Sequence, residues 1–189
     1  MKRVFLFSAL FLAGVFAVNA QDINKPQTSA NVGMTPIQKG NWMIGGSVGN
    51  IGYSFEAKSF GISLSPSAGY FLSDGIAVGL EPSVSLQTSD GGPNEWGYGI
   101  SPFVRYFFPK GASATGRFFA HGNVGVAGHS GQSGASLDLG AKLGYAHFIT
   151  QNVALELAAG YRYNKAPSAE KLSGLGVDLG FQIYLPGQR

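Results

Sequence analysis

Phe60-Gly-Ile-Ser-Leu-Ser-Pro-Ser-Ala-Gly-Tyr-Phe-Leu72, then Ser73-Asp74-Gly75, then Ile76-Ala-Val-Gly-Leu-Glu-Pro-Ser-Val-Ser-Leu-Gln87: this stretch decides the fold. Its even positions read Phe60, Ile62, Leu64, Pro66, Ala68, Tyr70 and Leu72, then Ile76, Val78, Leu80, Pro82, Val84 and Leu86. Between them stand Gly61, Ser63, Ser65, Ser67 and Gly69, then Ala77, Gly79, Glu81, Ser83, Ser85 and Gln87. A period of two held this long describes strands with one apolar and one polar face. The pattern extends outward in both directions and predicts eight strands, at about 41–50, 59–72, 75–87, 97–108, 117–128, 135–149, 152–163 and 173–185. Most reach the 9–11 residues that a tilted strand needs to cross a bilayer. No helical period of useful length interrupts them. The expected fold is all-β, an eight-stranded antiparallel up-and-down transmembrane β-barrel.

Which face is outside decides between a water-soluble barrel and a membrane barrel. The predicted strands carry eight charges, Glu81, Arg105, Arg117, Asp138, Lys142, Glu156, Arg162 and Asp178, and all fall on the polar parity. An Arg or Lys facing lipid at the midplane costs about 2–4 kcal/mol, against a domain stability of about 5–15 kcal/mol. The apolar parity carries no such error. The polar face, mostly Gly, Ser and Ala with charges of both signs, suits the tight lumen of a small barrel. Aromatic residues gather at two levels. Trp42, Tyr70, Tyr106, Phe108, Phe118, Tyr145 and Phe181 form one, and Tyr53, Phe55, Phe60, Trp96, Tyr98, Tyr161 and Tyr163 the other. Two girdles are what two membrane interfaces ask for.

Composition agrees. The chain has 189 residues, enough for one domain, with 12% charged residues and no Cys. About 25% charged is usual for a soluble domain. A net charge of +3, scattered, leaves no nucleic-acid footprint, and the absence of Cys excludes a disulfide framework and cysteine-ligated metal. Residues 1–20 carry Lys2 and Arg3, an apolar run from Val4 to Val18 and Ala20 at the cut, which reads as a secretory signal peptide. Residues 21–40 read as a flexible periplasmic leader, and 41–189 as the barrel domain. An even strand count puts both termini on one side, expected to be the periplasm. The outer loops then fall at 51–58, 88–96, 129–134 and 164–172, and the inner turns at 73–74, 109–116 and 150–151.

Three stretches carry a resemblance: Gly69-Tyr-Phe-Leu-Ser-Asp-Gly-Ile-Ala-Val-Gly-Leu80, Ser101-Pro-Phe-Val-Arg-Tyr-Phe-Phe108 and Gly144-Tyr-Ala-His-Phe-Ile-Thr-Gln-Asn-Val-Ala-Leu155. Over about residues 40–185 the chain resembles the small outer-membrane β-barrel domain common in Bacteroidetes, related in architecture to OmpA-like and OmpX-like barrels. The first and third stretches also resemble each other, as repeated inner hairpins would. The chain departs from a common pattern in lacking a C-terminal Phe, and Phe181 and Tyr184 are the substitutes at hand. The resemblance implies the outer membrane of a Gram-negative bacterium. Its lipids, lipopolysaccharide and assembly machinery are then the partners, with no surface partner specified.

Candidate chemistry is sparse. If residues of the third and fourth strands pair to a sum of 184, Glu81 and Arg105 are diagonal neighbours in the lumen. A sum near 302 for the sixth and seventh makes Asp138 and Arg162 diagonal too. Paired charges there plug a barrel of this size, or else switch as a gate. His121 is expected in the lumen near Arg105, His129 in an outer loop beside Ser130, and His147 near the inner interface, too far apart to share a metal. No catalytic residue, cofactor site or metal site is read. Pro66, Pro82 and Pro102 lie on apolar faces and, with sums of 148 and 184, in one row. Proline cannot donate to the ladder, so the row is either a bulge that curves the wall or a lateral weak point, similar to the proline-flanked openings of the palmitoyltransferase barrel. Three roles stay open: a closed structural or surface-interaction barrel, a small passive channel with possible lateral access, and a lipid-modifying enzyme.

Overall fold

The computed structural model describes residues 36–54, 59–89, 94–109, 115–130, 134–165 and 172–187. The expected signal peptide, leader residues 21–35 and Phe55 lie outside them. Eight strands follow one another: β1 (Trp42–Ser54), β2 (Ser59–Ser73), β3 (Ile76–Ser89), β4 (Glu95–Phe107), β5 (Gly116–His129), β6 (Ser136–Phe148), β7 (Val153–Lys165) and β8 (Leu172–Leu185). Each pairs antiparallel with its neighbours, and β8 returns to β1, closing the barrel. The expected fold class is therefore the observed one. β1 runs past its expected end, to Ser54, and β7 to Lys165.

Strands of 13 to 15 residues at about 3.3 Å per residue and a tilt near 40° cover roughly 30–35 Å, more than the ~25 Å apolar band of a membrane barrel. The alternation that shaped them now separates wall from lumen. Leu64, Leu80, Val104, Val124, Leu143, Leu157 and Leu179 are each more than half exposed and point outward. Ser63, Ser65, Ser67, Ser101 and Gln182 are buried inside. In water such a surface would be an aggregation hazard, whereas in hydrocarbon it is the required exterior.

One end of the barrel gathers the start of β1, the end of β8 and the β2–β3 and β6–β7 turns. There Trp42 pairs with both Tyr70 and Leu185. The β2–β3 hairpin turns through Asp74-Gly75, with Gly75 at φ 78°, a conformation that favours glycine. The outward aromatics at this end touch in pairs: Trp42 on Tyr70 at 5.1 Å, Tyr106 on Phe108 at 5.2 Å and Phe118 on Tyr145 at 5.0 Å between ring centroids. At the far end Phe60, Trp96, Tyr98 and Tyr161 are exposed on the wall.

The leader expected to stay flexible up to residue 40 joins the fold from residue 36. Its Ile37 carbonyl accepts the Gly75 N–H (2.8 Å), the Lys39 N–H donates to Asp74 Oδ1 (2.8 Å) and the Gly40 N–H to the Phe71 carbonyl (2.9 Å). Ile37 itself is buried. An apolar side chain of the leader gains by covering the barrel's greasy end.

Candidate functional site

The lumen is built in three layers. At the end that holds the termini it is aromatic: Met43, Phe71, Phe103, Phe107, Phe119, Phe148 and Tyr184 form one buried cluster. Phe71, Phe107 and Tyr184 meet one another in tilted and edge-to-face contacts at 6.0–6.4 Å between centroids. These rings sit on the polar parity, so alternation alone assigns them to a small-residue face. The signal for them is a local break in the period, in Tyr70-Phe71-Leu72, Tyr106-Phe107-Phe108 and Phe118-Phe119, where apolar residues stand side by side at a strand end.

Above the rings lies a charged layer. Arg105 Nη1 donates to both carboxylate oxygens of Glu156 at 2.8 Å, and its Nε donates to His121 Nδ1 at 3.3 Å. The guanidinium carbon stands 4.5 Å from the Phe119 ring centroid. Tyr184 Oη donates to Glu156 Oε1 (3.3 Å). Since His121 Nδ1 accepts, its ring proton is on Nε2, which faces Glu81 Oε2 at 3.7 Å. Lys142 Nζ reaches Asp178 at 2.7 Å and Glu81 at 3.9 Å. Glycines on neighbouring strands make room for these long side chains: a Cβ at Gly49 would collide with the Asp178 carboxylate, and one at Gly160 with Lys142. Between the charges a void of about 20 Å³ remains, the size of roughly one water.

Toward the far end the lumen widens into a cavity of about 350 Å³, lined among others by Ser63, Ser83, Asp138, Lys142, Arg162 and Asp178. Asp138 Oδ2 lies 3.5 Å from Asn123 Nδ2.

Several expected pairings are corrected. β3 and β4 pair to a sum of 182, placing Ala77 opposite Arg105 and Ser101 opposite Glu81. Glu81 and Arg105 are thus four residues apart along the wall, and Arg105 finds Glu156 across the lumen instead. β6 and β7 do pair to 302, which makes Asp138 and Arg162 diagonal. No ion pair joins them among the described residues. Arg117 is buried at the β5 start and donates to the Gly116 carbonyl (2.9 Å).

The prolines keep only part of their row. Pro66 faces Pro82, where the β2–β3 bridges skip Ser65–Ser67 and Glu81–Ser83. Pro102 faces Leu80, two residues nearer the termini, and the β4–β5 bridges skip it too. The expected bulge is absent at all three, since register is the same on either side of each gap. The shifts fall elsewhere, at Gly49/Gly52 and Phe71/Ser73.

His121 lies in the lumen opposite Arg105, and His147 is exposed near the terminal end beside Tyr145. His129 is the last residue of β5, lining the cavity, rather than a loop residue. Neighbouring Ser130 is held by β4: its Oγ accepts the Trp96 N–H (2.8 Å) and its own N–H donates to the Trp96 carbonyl (2.7 Å).

An apolar exterior, a closed ladder and a polar, charge-paired interior define a transmembrane β-barrel of the small outer-membrane kind. No family profile and no curated protein matches the chain. Solved structures do. Neisserial surface protein A is 19% identical with a TM-score of 0.52, covering 78% of this chain and 97% of its own. The Yersinia pestis outer membrane protein Ail, in a phospholipid bilayer nanodisc, is 14% identical with a TM-score of 0.51, covering 78% and 100%. The outer membrane protein OprG from Pseudomonas aeruginosa is 13% identical with a TM-score of 0.50, covering 79% and 98%. At these identities the likeness is one of fold.

Proposed function

We propose that this chain is an integral outer-membrane barrel with a closed lumen and a structural or surface-interaction role, its termini in the periplasm. The observation that carries the reading is the filled interior: Tyr184, Phe71, Phe107, Phe119 and Met43 are all less than 2% exposed. Directly above them the Arg105–Glu156 pair spans the lumen. Side chains fill the interior of a barrel this size, and here they do so in two successive layers. The paired stretches 69–80 and 144–155, which fall on the β2–β3 and β6–β7 hairpins at one end, support the kinship with the Bacteroidetes barrel domain. Outer-membrane lipids, lipopolysaccharide and the assembly machinery are the partners this reading implies.

The runner-up is a small passive channel, favoured by the cavity that enters the barrel from the far end. A lipid-modifying enzyme has less support, because the Ser130 hydroxyl is committed to the Trp96 amide. Planar-bilayer recording of the chain refolded in detergent separates the first two. Heat-modifiable gel migration without conductance steps is expected for the closed barrel. Discrete openings would overturn it in favour of the channel.

A further inference from the structure

The ladder that closes the barrel stops short. β1 and β8 pair from Trp42↔Leu185 to Gly49↔Asp178 and no further, although β8 continues to Leu172 and β1 to Ser54. The cause is in β1. Its register with β2 shifts between Gly49 and Gly52, an extra residue that turns its hydrogen-bonding edge over. Tyr184 donates its N–H to Asn152 on the β7 side. Antiparallel alternation therefore turns the N–H and C=O of Ser173, Leu175 and Val177 toward β1, where no bridge meets them. Leu175 is 88% exposed, more than any other large apolar residue among those described.

The same place is open from within. Gly174 pairs with Arg162, and a Cβ built on Gly174 meets nothing within 4 Å. Arg162 projects into the cavity and, among the described residues, has neither an ion pair nor a hydrogen bond. The cavity lining runs from the lumen residues Arg162 and Asp178 through Gly174 and Gly176 to outward-facing Leu175 and Tyr161. Tyr161 stands at the far aromatic level, so the gap opens where lipid head groups meet the acyl region.

From this geometry we infer that the far half of the β1–β8 seam is a lateral portal that seats an anionic amphiphile of the surrounding bilayer. Its head group lies inward beside Arg162 and its apolar tail outward over Leu175 and Val177. Backbone groups left unbridged at the edge of the hydrocarbon need a polar partner, and a guanidinium with no ion-paired carboxylate among the described residues selects an anionic one. The apolar wall directly outside demands a tail on the same molecule. The inference rests on the membrane-barrel reading and adds a ligand class to it.

The test uses the barrel refolded in dodecyl maltoside, whose head group carries no charge, titrated with dihexanoyl phosphatidylglycerol and followed by 1H–15N NMR. Saturable shifts are expected at the amides of Ser173, Leu175 and Val177 and at the Arg162 Nε–H. Arg162→Gln and Gly174→Leu should each weaken binding at least tenfold while strand dispersion is kept, and tailless glycerol phosphate should bind at least tenfold more weakly. Shifts that never saturate, either variant binding like the wild type, or glycerol phosphate binding as well as the lipid would overturn the portal. A wild-type chain without dispersed strand signals or heat-modifiable migration would instead fail the barrel reading itself.

Discussion

Arg105 is held by four groups at once: the Glu156 carboxylate, the His121 ring, the Phe119 face and, through Glu156, the Tyr184 hydroxyl. A buried pair of this kind adds little over an apolar substitute, but losing one member strands the other charge at about 3–5 kcal/mol. Arg105→Met and Glu156→Leu should therefore each lower the unfolding free energy by about that amount, read from the urea midpoint in lipid vesicles. The double variant should recover most of the loss. A double variant as unstable as the sum of the singles would show that the two do not act as a pair. Asp178 depends on Lys142 in the same way, since Lys142 Nζ at 2.7 Å is its ion-pair partner among the described residues. Sequence placed both charges in the lumen but could not choose partners. Arg105 and Glu156 are 51 positions apart and meet across the barrel, not along a hairpin.

At the level of elements, hydrogen-bond direction explains the proline gaps. Phe71 donates its N–H to Asn41 on the β1 side and Phe107 donates to Gly75 on the β3 side. Alternation from these bonds turns Pro66 and Pro82 toward each other. They thus occupy the one rung at which both would have donated, so two bonds are lost at a single spot. Replacing both, as Pro66→Val with Pro82→Val, should restore the rung and raise stability by roughly 1–2 kcal/mol, at about 1 kcal/mol per bond, read as a higher urea midpoint. No gain would mean that other groups already satisfy the two carbonyls. The β2–β3 turn makes a second demand. Gly75→Ala forces a β-carbon into φ 78° and should cost about 1 kcal/mol by the same measurement. The Asp-Gly turn was legible in the sequence. The missing bulge was not, because proline announces a lost donor without saying whether the chain bends or simply leaves a gap.

For the whole molecule, the exterior and the plug give separate tests. Leu143, 65% exposed at mid-strand in β6, should tolerate Arg only at a cost of about 2–4 kcal/mol in lipid. Ser83→Arg, lining the cavity, should fold with a much smaller penalty. Equal penalties would argue against a lipid-facing wall. The plug is tested by Phe107→Ala with Tyr184→Ala, which removes two of the largest fully buried side chains. The double variant should turn a silent barrel into one with discrete conductance steps. Continued silence in a folded variant would leave the barrier to the Arg105–Glu156 layer and the rings that remain, Phe71, Phe103, Phe119 and Phe148.

What the sequence by itself determined is parity. The period of two settled the strand count, the face of each of the eight lumen charges and the apolar exterior, because a side chain's face depends only on odd or even position. Register is different. A slip of two residues leaves every side chain on its own face, so sums of 182 and 184 for β3 and β4 are equivalent to alternation. Tertiary structure decided between them, and with that choice separated Glu81 from Arg105, joined Arg105 to Glu156 and moved Pro102 out of its row. It also decided where the ladder stops. The extra residue between Gly49 and Gly52 is invisible to a local pattern, yet it reverses the bonding edge of β1 and leaves Ser173–Val177 of β8 without a bridge to a described residue on that side.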